Sequence, residues 1–118
     1  MSDFQDFLTR RYAHVARGEF KPGKFEEARG LYEEAVSTYA EGFEGAYLLR
    51  EPGTDQGLSV IFWDNLEHMD AGQHTAAHDA IMKKMAPLFR QQPDSSFYEV
   101  VCDIQPQGLA QGAATAVG

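Results

Sequence analysis

The sequence predicts an α+β fold, a ferredoxin-like βαββαβ antiparallel sheet with two helices on one face. Three observations lead there. Two segments carry apolar residues at three- and four-residue spacing, and four short segments are rich in strand formers. They follow one another as strand, helix, strand, strand, helix, strand, which is the split βαβ order. The third strand segment is apolar on both faces, so its sheet needs cover on both sides. With 118 residues the chain is one domain of ordinary size and too short for two, and its 43% hydrophobic content supports a packed core.

Residues 1–10 read as a short N-terminal segment in which Asp3 is placed to cap an amphipathic turn carrying Phe4, Phe7 and Leu8. From Arg11 to Phe20 the side chains alternate, with Tyr12, His14, Ala16, Gly18 and Phe20 on one side, so a strand is expected. Lys21-Pro22-Gly23-Lys24 has turn chemistry, Pro fixing φ and Gly accepting a positive φ. It hands over to a helix in which Phe25, Ala28, Leu31, Tyr32, Ala35, Val36 and Tyr39 form one stripe, with Gly42 placed to stop it. Gly45 to Glu51 and Gln56 to Asp64 are strand segments joined by Pro52-Gly53-Thr54-Asp55, an antiparallel hairpin. Asp64 and Glu67 have capping-box spacing for a second helix running to about Phe89, with Gly72 as a break point and Pro87 near its end. Pro93 to Ser96 reads as a loop and Phe97 to Ile104 as the last strand. The domain therefore spans residues 11–104, and residues 105–118, rich in Gly, Ala and Gln, read as a flexible C-terminal tail.

In the third strand Leu58, Val60 and Phe62 lie on one side and Ile61 and Trp63 on the other. Two helices cover one face only. In a chain this short, the second face must meet a sheet from another subunit, so a homodimer joined sheet to sheet is expected.

Composition narrows the partners. With 18 acidic and 10 basic residues the net charge is -8, a field that repels phosphate backbones and anionic lipid, so neither nucleic acid nor a membrane is an expected partner. The single cysteine, Cys102, allows no internal disulfide and no multi-thiolate zinc site, and a cytoplasmic setting is expected. No apolar run has the length of a signal peptide or a membrane span. No GxGxxG or P-loop pattern is present, so no nucleotide cofactor is expected, and loose His spacing without HExxH gives no metal site.

The candidate chemistry lies in the histidines. His74 and His78 stand one helical turn apart on the side bearing Ile81, Met85 and Leu88, which places both toward the interior or a cleft. An imidazole there can take a proton from a bound phenol near neutral pH, and a partly buried structural histidine at a subunit seam is the competing reading. His14 shares a strand face with Tyr12 and Ala16 and is placed to meet His78. Trp63, with Tyr47, Phe62, Phe97 and Tyr98, supplies aromatic surface suited to a planar ligand or to an ordinary core. Arg50 reads as half of a surface ion pair, and Cys102, in an apolar strand, as a small buried hydrophobe.

The run KPGKFEEARGLYEEAV, the strand GFEGAYLLRE and the hairpin into LSVIFWDNLEHM resemble the antibiotic biosynthesis monooxygenase family of the dimeric α+β barrel superfamily. The resemblance covers roughly Tyr12 to Ile104 and rests on Pro22-Gly23 before the first helix, Gly45 opening the second strand, Trp63 closing the third and His78 in the second helix. It implies a homodimeric barrel with a small ligand cleft between each sheet and its own helices. It also implies oxidation of small phenolic or quinol-like aromatics by oxygen with no cofactor. On that reading His78 and His74 are catalytic, and His14, Tyr12, Trp63 and Phe62 contact the substrate. A binding module without turnover and an oxygen-independent isomerase are the alternatives within the same superfamily. The haem-degrading branch carries an Asn, a Trp and a His where this chain has Ala16, His68 and His78, and only the His matches.

Overall fold

The structure, a computed structural model, describes residues 11–106, so the predicted N-terminal turn and the tail from residue 107 lie outside the described residues. The elements are β1 (Tyr12–Glu19), α1 (Phe25–Ser37), β2 (Phe43–Arg50), β3 (Gln56–Trp63), α2 (Leu66–Gly72), α3 (Ala76–Met85), a 3-10 turn (Ala86–Leu88) and β4 (Asp94–Glu99). The four strands form one antiparallel sheet in the order β2-β3-β1-β4. This is the predicted α+β architecture.

Register fixes which side chains share a face. Opposite residues in a ladder point the same way, so His14, Ile61, Ala46 and Phe97 form one row on the helix-covered face. One core cluster there joins Tyr12, Ile61, Trp63 and Met69, and a second joins Phe20, Phe25, Ala28, Met85 and Leu88. Trp63 is fully buried, and removing a side chain of that size from water contributes roughly 1.5–3 kcal/mol. On the opposite face Val15, Val60 and Tyr47 form one row and Leu58 and Leu49 lie in the next, with Tyr47 61% and Tyr98 57% exposed. We call this the open face.

Several local expectations change. The second helix is two helices. A Cβ at Gly72 would sit 2.3 Å from the Trp63 indole, so the end of α2 packs where only glycine fits, and the chain turns through residues 73–75 before α3 begins. The cap of α2 is Asn65, not Asp64: its side chain accepts from the His68 N–H at 2.8 Å, while the Asp64 carboxylate bonds His68 Nδ1 at 2.7 Å. β2 starts at Phe43 and absorbs a bulge before Gly45, whose φ is 134°.

The last strand runs Asp94–Glu99, across the predicted loop, and ends where Phe97 to Ile104 was expected to continue. Its ladder is set by β1, from Arg17 opposite Asp94 to Tyr12 opposite Glu99. Among the described residues, the Val100 N–H extends it by donating to the Arg11 carbonyl at 2.8 Å. β1 itself begins at Tyr12, and a strand takes its length from the ladder it joins as well as from its own strand-forming residues. Cys102 is accordingly exposed, not buried in a strand.

Candidate active site

Between the helix-covered face and the helices lies a cavity of about 240 Å³ whose walls include members of both core clusters, Phe20 and Met85 from one and Ile61 from the other. Most of the lining is apolar. The polar groups that reach it include His14 from β1, Ser59 from β3, Tyr32 from α1, Tyr39 from the turn after α1, His74 from the turn before α3 and His78 from α3. An apolar cleft with a few converging polar groups is the usual form of a small-molecule site.

His78 stands in the first turn of α3, and its backbone N–H donates to the Thr75 hydroxyl, the helix cap, at 3.1 Å. Its residue is 9% exposed. Nε2 lies 3.0 Å from the Tyr39 hydroxyl and the two rings stack at 5.4 Å, while Nδ1 is buried without a hydrogen-bond partner among the described residues. Burial holds the His78 imidazole below its ordinary pKa, against the pull of the Asp79 carboxylate and the Gln73 backbone. His14 Nδ1 is likewise buried without a described partner. Burial first, and the neighbouring His78 second, lower its pKa too. Both imidazoles are therefore neutral at pH 7 and able to accept a proton.

The other polar members are committed to each other. Ser59 donates to the Tyr32 hydroxyl at 2.9 Å, and Tyr32 donates to the Tyr47 carbonyl at 2.9 Å. Burial raises the pKa of both Tyr32 and Tyr39, so both phenols keep their protons through the neutral range. The Tyr39 ring is held edge-on to Trp63 at 4.8 Å.

Of the six residues singled out from sequence, the cavity brings together His14, His74 and His78. His74 reaches it differently from expectation: the helix break places it in a turn, 71% of its side chain is exposed, and Nδ1 is bonded to the Asp70 backbone carbonyl at 2.7 Å. Tyr12 and Trp63 pack in the core cluster beneath α2 and do not line the cavity, because α2 closes over that end of the sheet. Phe62 lies on the open face, since its neighbours Ile61 and Trp63 both point toward the helices. The aromatic walls come instead from Phe20, Tyr32, Tyr39 and Phe89. Tyr39 was not singled out from sequence as a site residue; its place at the end of the α1 stripe was visible, but its hydroxyl contact with His78 depends on where α3 begins. Arg50 pairs with Asp55 at 3.3 Å and stacks over the Phe25 ring, away from the cavity. Among the described residues no three His, Cys, Asp or Glu side chains cluster in a way that could hold a metal ion.

The sheet order and the helix-covered cleft define a ferredoxin-like α+β domain, and the comparisons agree on that fold. The antibiotic biosynthesis monooxygenase family model matches residues 11–84, and the chain belongs to that family. The cofactor-independent oxygenase SnoaB from Streptomyces nogalater superposes with a TM-score of 0.71 at 15% identity, over 83% of this chain and 99% of that one. Rv0793 from Mycobacterium tuberculosis gives 0.70 at 13% identity over 80% and 99%, and a conserved protein from Methanosarcina mazei Go1 gives 0.70 at 15% over 80% and 96%. At these identities the likeness is one of fold. No curated protein matches the chain by sequence.

Proposed function

We propose that this chain is a monooxygenase that oxidises a small phenolic or quinol-like aromatic with molecular oxygen and no cofactor, with His78 as the general base. The observation that carries this reading is the pair of neutral histidines, His14 and His78, in a mostly apolar cavity sized for one small aromatic ring system. His78 accepts the phenolic proton, His14 hydrogen-bonds a ligand oxygen, and the resulting phenolate is electron-rich enough to reduce oxygen itself. One oxygen atom enters the substrate and the other leaves as water, with the substrate supplying the electrons. The residues lining the cavity are those the chemistry needs: a base, hydrogen-bonding groups and apolar walls that exclude water.

The working unit is a homodimer joined through the open face. Its support is the apolar surface of Leu58, Val60, Leu49, Tyr47 and Tyr98 there, together with Val101 and Ile104, each 83% exposed.

Oxygen uptake on hydroquinones and anthrone-like phenols, with and without a chelator, tests the reaction. Chelator-insensitive uptake that falls by roughly 10²-fold or more in His78→Ala, with the melting temperature kept, is expected. Uptake unchanged in that variant would overturn the base assignment. Proton exchange or isomerisation without uptake would mark an oxygen-independent enzyme of the same cleft, and tight binding without either would mark a carrier.

A further inference from the structure

The Tyr39 hydroxyl makes one hydrogen bond among the described residues, to His78 Nε2 at 3.0 Å. A phenolic O–H in a largely buried position needs an acceptor, and Nε2 is the acceptor offered, so Tyr39 donates and His78 carries its own hydrogen on Nδ1. The accepting lone pair of His78 is thus covered by Tyr39, while both residues line the cavity. A ligand hydroxyl bonded to Tyr39 Oη is thereby connected to that lone pair. We propose that Tyr39 is a proton relay between the bound aromatic and His78.

The transfer balances in one concerted step. The ligand O–H bond breaks and its proton joins Tyr39 Oη, as the Tyr39 O–H bond breaks and that proton joins His78 Nε2. The products are a ligand phenolate, an intact Tyr39 phenol donating to it, and a His78 imidazolium. Tyr39 never ionises alone, in keeping with the way burial opposes its tyrosinate form. The groups that face His78 are Tyr39 beside Nε2, His14 from β1, His74 from the turn before α3 and Asp79 along α3. Burial and His74 oppose the imidazolium while Asp79 and the Gln73 backbone favour it. This inference rests on the assignment of His78 as the base.

The test uses 4-nitrophenol, whose phenolate has its own absorbance band, with wild type, Tyr39→Phe and His78→Ala. The Phe variant keeps the ring contacts with Trp63 and His78 and loses only the hydroxyl. Wild type is expected to bind the probe largely as phenolate near neutral pH. Tyr39→Phe is expected to bind it within about threefold but with the ionised fraction cut by about tenfold or more, as is His78→Ala. In ¹⁵N NMR of the ligand-free wild type, His78 should show a protonated Nδ1 and a bare Nε2. Full ionisation in Tyr39→Phe alone, or a protonated Nε2 in wild type, would overturn the relay and leave the base assignment standing. Full ionisation in His78→Ala, or no binding by wild type, would overturn both.

Discussion

His14 and His78 tie the site's chemistry to the protein's stability. Both have pKa values below the ordinary histidine value of about 6.5 because burial penalises the charged ring. The unfolded chain then binds more protons than the folded one as pH falls through that value, so stability from these groups is present above it and lost toward acid. Half-buried His68, bonded to the Asp64 carboxylate, and exposed His74, bonded to the Asp70 carbonyl, have raised values and act in the opposite sense. The melting temperature of His14→Asn should therefore fall less between pH 7.5 and 5.5 than that of wild type. An equal fall would mean that the folded His14 titrates like a free side chain. The same depression moves the acid limb of any base-dependent activity below the ordinary histidine range, measurable as the pH profile of kcat/KM.

The helical roof depends on two small residues. Gly72 lets α2 close on Trp63, and an added methyl meets the indole ring, so Gly72→Ala should cost about 1–3 kcal/mol in chemical denaturation. Asn65→Ala removes the α2 cap and should cost about 1 kcal/mol, whereas Asp64→Ala, which leaves that cap in place, should leave the α2 amides protected from hydrogen exchange. These elements also show how far the sequence could be read. β1, α1 and the β2–β3 hairpin were legible, because alternation, a 3.6-residue stripe and Pro-Gly turns are local signals. β4 was misplaced by several residues, because FYEVVCDI has strand-forming composition while the ladder that makes a strand is a property of β1, more than 70 positions away. The break in the second helix and the cap at Asn65 had the same origin: packing against Trp63 decides them. Candidate histidines were identifiable as residue types, but their convergence with Tyr39 needed the third dimension.

At the scale of the whole molecule, the sheet presents a cavity on one face and, among the described residues, an exposed apolar surface on the other. Light scattering should give twice the 13.1 kDa chain mass, and Val60→Glu, placing a charge amid the open face, should return it to a single chain. A single-chain mass for wild type would refute sheet-to-sheet pairing. Each chain carries a net charge of -8, so added salt should strengthen the dimer by screening that repulsion. Pairing through the open face turns the two cavities outward, away from each other, with two sheets packed about 10 Å apart between them. Neither copy then lends a wall to its neighbour's cavity. Ligand saturation should follow a simple hyperbola with a Hill coefficient near one, and a dimer in which one copy carries His78→Ala should keep half the turnover of the pair.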